Sequence, residues 1–117
     1  LEHVGLAHTV DMMPAELSGG MRKRIALART LILKPAIMLY DEPTTGLDPI
    51  TGMEIIDLIK QVQQQYQTSA LVISHDMVLA ETASERLAML IEGKCYATGP
   101  YSELKTTTDP KLQAFFI

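Results

Sequence analysis

Two short, uninterrupted apolar runs, Ile37–Tyr40 and Ala70–Ile73, flank a longer stretch whose apolar residues recur at helical spacing. Runs of this kind suit strands covered on both faces of a sheet. Between them, Ile55, Ile59, Val62 and Tyr66 form one stripe of a helix over Pro49–Tyr66. Asp57, Lys60, Gln61 and Gln64 fall on its opposite, solvated side. Strand, helix, strand in this order is a βαβ unit, and its crossover makes the two strands parallel. The fold class is therefore expected to be α/β.

Upstream, the first fifteen residues carry little periodicity, and Asp11–Pro14 reads as a loop. Ser18-Gly19-Gly20 then opens a helix with Met21, Ile25, Ala28 and Ile32 on its apolar stripe, and Pro35 ends it. Downstream, a short helix is expected over Met77–Thr82. Two strands follow, Arg86–Ile91 and Cys95–Ala97, with Glu92-Gly93 turning them into an antiparallel hairpin. Pro100–Leu104 and Pro110–Phe116 read as terminal helices. There is no internal repeat, low-complexity tract or flexible linker.

A chain of 117 residues is one domain's worth of polypeptide at most, and 47% apolar residues exclude intrinsic disorder. The formal charge of −4 argues against a nucleic-acid surface, although Arg22-Lys23-Arg24 is locally basic. That basic run is read equally well as a solvated helix face or as a subunit contact. A single cysteine, Cys95, rules out an internal disulfide and fits a reducing compartment. No stretch is apolar enough to span a membrane and no signal-peptide pattern opens the chain. The start at Leu1 rather than Met reads as processing or truncation. A cytoplasmic setting follows as an expectation.

Four stretches carry chemistry. In Leu17-Ser18-Gly19-Gly20, Ser18 is placed to cap the helix that follows, and the glycines let backbone N–H groups approach a phosphate at its positive end. In Asp41-Glu42-Pro43 two acids follow the first apolar run, at the C-terminal end of a parallel strand where α/β sheets bind ligands. One acid there can hold the water shell of Mg2+ while its neighbour polarises an attacking water. Gly46-Leu47-Asp48-Pro49 reads as a capped helix start with Pro in its first turn. Ser74-His75-Asp76 follows the second run, and His75 is expected near Asp41 and Glu42, where an imidazole can hydrogen-bond a phosphate oxygen. Each stretch alone has an ordinary structural reading. It is the ordered set that is distinctive.

Taken together, these stretches resemble an ABC ATPase: signature motif, Walker B with its catalytic glutamate, D-loop and H-switch. Ile25-Ala-Leu-Ala-Arg29 is similar to the helix that follows the signature in transporter ATPases. The resemblance implies a P-loop NTPase fold, only partly represented, with a mainly parallel sheet, flanking helices and a C-terminal hairpin. It makes residues 1–117 the C-terminal part of one nucleotide-binding domain. Within it, 1–34 would be the end of the helical subdomain and 35–117 part of the ATPase core. It implies ATP and Mg2+ as ligands and a second ABC ATPase subunit in a head-to-tail dimer. Ser18, Gly19 and Gly20 would meet the γ-phosphate of ATP held by that partner. Asp41 would hold Mg2+ through water, Glu42 would act as general base or water-orienting carboxylate, and His75 would stabilise the γ-phosphate. Asp48 would communicate across the dimer interface.

No G-x-x-x-x-G-K-[ST] P-loop occurs in the sequence. The 117 residues alone are accordingly expected to be inactive, with an unpaired edge and an uncovered apolar face at Ala70–Ile73. Met21 with the following Arg22-Lys-Arg24, Gly46-Leu-Asp-Pro-Ile-Thr51 and Asp109-Pro-Lys-Leu-Gln-Ala-Phe115 are similar to the ATPases of Mla-type phospholipid transporters. That implies membrane permease partners, an Mce-type lipid-binding protein, and a peripheral place on the inner face of the cell membrane. Two other readings share part of the pattern: a DNA-repair or chromosome-structure ABC ATPase head, and a non-catalytic ABC interaction module.

Overall fold

The computed structural model describes residues 1–116, which divide into two compact units, Leu1–Ile73 and a second that begins at Ser74.

The first unit begins with short 3-10 turns at Glu2–Val4, Ala7–Thr9 and Pro14–Glu16, followed by helix α1 (Gly19–Leu31). Strand β1 (Ile37–Asp41), helix α2 (Pro49–Tyr66) and strand β2 (Ser69–Ile73) complete it. β1 and β2 are parallel, in the register Ile37↔Ser69 through Asp41↔Ile73, so the βαβ expectation holds. Val4, Leu6, Leu27, Met38, Leu58 and Val62 form the core, with Met21, Ile25, Ala28, Leu31 and Tyr40 packed against it. Both helices thus bury their apolar stripes on one face of the sheet.

The other face departs from the expectation of a strand buried on both sides at Ile37–Tyr40 and matches the uncovered apolar face expected at Ala70–Ile73. Ile37, Leu39, Leu71 and Ile73 are 58–73% exposed. They alternate with Met38, Tyr40, Ala70 and Val72 along the two strands, so they share one face of the pleat. A two-stranded sheet with helices on one side can bury only alternate residues. Two stripe assignments also change. Ile32 lies just past the end of α1 and is 77% exposed, with Leu27 and Leu31 taking inward places instead. Tyr66 ends α2 half-exposed, with its ring edge-on to His3 at 5.9 Å.

In the second unit, α3 (Met77–Ala83) precedes strands β3 (Leu87–Ile91) and β4 (Lys94–Gly99), which pair antiparallel. Glu92 and Gly93 both take positive φ, 52° and 75°, the backbone a tight two-residue hairpin needs. Helices α4 (Tyr101–Leu104) and α5 (Pro110–Gln113) follow, and a 3-10 turn (Ala114–Phe116) replaces the expected continuation of α5. Met89, Leu104 and Leu112 are the buried centre, with Leu87, Ile91, Ala97 and Phe116 around them.

Asp109 caps α5, accepting from the Lys111 N–H at 2.9 Å, and also accepts a hydrogen bond from the Tyr96 hydroxyl at 2.6 Å. The Tyr96 bond, then the Lys111 N–H, holds the Asp109 carboxyl below its usual range. The same bond raises the Tyr96 phenol. For Asp109 the stabilisation is present above the ordinary carboxylate value and fades as pH falls through the lowered one. For Tyr96 it is present below the ordinary phenol value and fades as pH rises through the raised one. The melting temperature of Tyr96→Phe should therefore lose part of the wild-type decline above about pH 10. Parallel melting curves for the two proteins across the alkaline range would contradict this linkage.

Candidate functional site

Ser18 has extended backbone (φ −67°, ψ 165°), and its Oγ accepts from the Met21 N–H at 3.1 Å, as an N-cap does. Ser18 and Gly19 are exposed, whereas Gly20 is buried. A Cβ on Gly20 would lie 2.5 Å from Thr51 Cγ2, and one on Gly19 would lie 3.4 Å from Leu47 Cδ2. The glycine turn at the start of α1 is therefore seated against the segment that opens α2. In that segment Asp48 is the N-cap, accepting from the Thr51 N–H at 3.1 Å, with Pro49 in the first turn. Hydrogen bonds from Thr51 hold the Asp48 carboxyl below its usual range. The structure thus brings Ser18, Gly19 and Gly20 beside the Leu47–Thr51 stretch of the same chain.

Asp41 is the last residue of β1, exposed, and the register partner of Ile73. Glu42 then leaves the strand with φ 47°, in the left-handed region. That conformation costs a non-glycine residue about 1–2 kcal/mol, and the following Pro43 restricts Glu42 further. Such strain persists where neighbours over-determine it, and it concentrates at functional sites. Here the neighbours can be named. The Glu42 N–H donates to Ile73 O at 2.8 Å, keeping it registered with β2. Its carbonyl accepts from Lys23 Nζ at 3.0 Å and from the Thr45 N–H at 3.3 Å. Its Oε2 accepts from the Thr45 hydroxyl at 3.1 Å. Glu42 thus leaves the extended backbone that Asp41 still keeps.

His75 lies at the start of the second unit, exposed, between β2 and α3. Its neighbours are fixed by a local turn. The Asp76 N–H donates to Ser74 Oγ at 2.9 Å, and Asp76 Oδ1 caps α3 by accepting from the Val78 and Leu79 N–H groups. Among the described residues no three His, Cys, Asp or Glu side chains are grouped to hold a metal. Mg2+ does not need such a group. It is commonly bound through one or two carboxylates, water and substrate phosphates, and an exposed strand-end Asp41 beside Glu42 fits that donor set.

The basic run at the start of α1 has hydrogen-bond partners within its own chain, with Arg22 itself exposed. Arg22 Nε donates to Pro14 O at 3.3 Å. Arg24 donates to Val4 O at 3.0 Å and pairs with Glu54 at 3.2 Å. Lys23 reaches Glu42, as above. Lys23 and Thr45 are thus the site residues that sequence reasoning missed. Nothing in their local sequence marks them, because both act on a backbone or side chain whose position depends on the strand-end turn. A cleft of about 190 Å³ between α1, β1 and α2 is lined by Lys23, Tyr40 and Asp41 among mainly apolar side chains, and burial raises the Tyr40 phenol.

A Ser-capped glycine turn seated against the Leu47–Thr51 segment, and adjacent carboxylates at the C-terminal end of a parallel strand, are features that suit phosphate binding in α/β folds. The comparisons narrow that class. Residues 1–45 match the family described as "ABC transporter". The Lipoprotein-releasing system ATP-binding protein LolD of Myxococcus xanthus is 49% identical over 89 residues, covering 76% of this chain and 40% of that protein. Protein TRIGALACTOSYLDIACYLGLYCEROL 3, chloroplastic, of Arabidopsis thaliana is 40% identical, covering 98% and 38%. The Methionine import ATP-binding protein MetN of Haemophilus ducreyi is 37% identical, covering 100% and 34%. The chain thus spans about four-tenths of the length of these curated relatives. Among solved structures, the ADP conformation of MJ1267, an ATP-binding cassette of an ABC transporter, superposes with a TM-score of 0.86 at 26% identity, over 99% of this chain and 46% of that one. The ATP-binding cassette MJ0796, in a dimeric post-hydrolysis state bound to ADP and Pi, gives 0.72 at 32% identity, over 85% and 43%. These matches support an ATP-binding domain of the ABC transporter class, and the fold is that of the ABC ATPase cassettes.

Proposed function

We propose that this chain supplies the signature and hydrolytic residues of an ATP-binding subunit that powers an ABC transporter. The observation that carries the reading is the strand end itself: Asp41 closing β1, and Glu42 turned out of it with φ 47° and held there by Ile73, Thr45 and Lys23. In this reading Asp41 holds Mg2+ through water, and Glu42 orients or deprotonates the attacking water. His75 hydrogen-bonds the γ-phosphate. Ser18, Gly19 and Gly20 meet the γ-phosphate of ATP bound by a second ATPase subunit in a head-to-tail dimer, and Asp48 couples the two subunits. Catalysis is then positioning and electrostatics around an in-line attack of water. With no P-loop among them, the 117 residues alone turn over no ATP.

The transported molecule is proposed to be a phospholipid. The Met21, Gly46–Thr51 and Asp109–Phe115 features favour this. Permease subunits and an Mce-type lipid-binding protein are the corresponding partners, and the subunit sits peripherally on the cytoplasmic face of the membrane. No described helix is long and apolar enough to cross the bilayer by itself.

The test is the Mg2+ dependence of ATP turnover by the complete gene product. Asp41→Asn should raise the Mg2+ concentration for half-maximal turnover by about 10–100-fold, the usual cost of weakening a ligand's outer coordination. A superimposable Mg2+ titration would remove Asp41 from the metal site.

A further inference from the structure

We propose that Lys23 is a positioning residue for Glu42, fixing the backbone of the hydrolytic carboxylate from the helix that begins with Ser18-Gly19-Gly20. The proposal rests on the reading of Glu42 given above. Lys23 sits in the second turn of α1, and its ammonium crosses to β1's end to donate to the Glu42 carbonyl at 3.0 Å, nineteen residues along the chain. It is a charge-assisted bond to a carbonyl that also accepts from the Thr45 N–H. Glu42 needs such a bond, since its left-handed φ of 47° and the following Pro43 both disfavour the conformation observed.

Three residues that hydrogen-bond Glu42 divide the work. Ile73 fixes its N–H and so the register with β2. Thr45 fixes its carboxylate through Oγ1. Lys23 fixes its carbonyl, and it is the contact that comes from α1. A movement of the signature helix therefore reaches the Glu42 backbone through the Lys23 hydrogen bond. Arg22 and Arg24 do not share this role, because their hydrogen bonds go to Pro14, Val4 and Glu54.

The experiment compares Lys23→Met and Lys23→Arg in the complete gene product, with ATP turnover, KM for ATP and thermal midpoint measured for each. Methionine keeps most of the aliphatic stem and removes only the donor. We expect Lys23→Met to lower kcat about 10–100-fold, the scale of a misplaced catalytic group, with KM within about twofold. Lys23→Arg, which keeps a cationic donor, should recover most of kcat. In a Glu42→Gln background Lys23→Met should cause no further loss. Unchanged kcat in Lys23→Met, with Glu42→Gln inactive, would overturn the Lys23 role and leave the Glu42 reading standing. So would a loss that arginine does not rescue and that tracks a lowered thermal midpoint. An active Glu42→Gln protein would instead overturn the Glu42 reading and this proposal with it.

Discussion

Replacing Gly20 by alanine is expected to destabilise the first unit, although the same change in most helices stabilises. Helix propensity alone favours alanine over glycine by about 1 kcal/mol. Against that, the new Cβ would sit 2.5 Å from Thr51 Cγ2, well inside van der Waals contact, with Gly20 already buried between α1 and α2. Overpacking of this kind typically costs about 1–3 kcal/mol, and the first turn of a helix gains less from propensity than its middle. The net effect should be a lower thermal midpoint, by roughly 4–8 °C for each kcal/mol in a domain of this size. Thr51→Ser removes the clashing methyl group and keeps the hydroxyl, so the double variant should recover most of the loss. If Gly20→Ala alone melts at or above the wild-type temperature, the contact between the two helix starts is not as drawn.

The same residue shows how far the sequence could be read. Two glycines after Ser18 suggested backbone exposed to an anion, which fits the open Ser18 and Gly19. It did not suggest that Gly20 faces inward against Thr51, a demand set by a helix thirty residues later. Elements with strong local signals are the most legible. Pro49–Tyr66 carried its Asp48 cap, Pro49 and a strict stripe, and the helix has those bounds. The parallel pairing followed from the two apolar runs and the intervening helix. Glu92-Gly93 announced the hairpin. Burial was less legible, because a run such as Ile37–Tyr40 reads the same whether one face of its sheet is covered or both. Leu39 at 73% exposure is the result. Apolar periodicity also ran past the end of α1, so Ile32 was counted inward although the helix stops at Leu31.

For the candidate site, residue types were legible and geometry was not. Asp41 and Glu42 stood out as adjacent acids after a strand. That Glu42 turns to φ 47° while Asp41 stays in the strand depends on Ile73, Thr45 and Lys23 converging on one residue. The basic run Arg22–Arg24 reads equally as a solvated face or a subunit contact because nothing in the sequence says where a long cationic side chain ends. Its three members reach backbone carbonyls of Pro14, Glu42 and Val4.

Glu42 carries the proposed hydrolytic chemistry. A carboxylate that orients or deprotonates the attacking water contributes to the chemical step and little to ATP binding, so removing its charge should separate the two. Glutamine keeps the size and the capacity to accept from the Thr45 hydroxyl, which now bonds Oε2 at 3.1 Å, and alters only the basicity. The decisive measurement is ATP turnover and ATP affinity for Glu42→Gln beside the wild-type complete gene product. The predicted result is a fall in kcat of about 10²–10⁴-fold, the range for loss of a general base, with ATP still bound at wild-type affinity. Turnover at the wild-type rate would contradict the assignment and place the hydrolytic chemistry away from the end of β1.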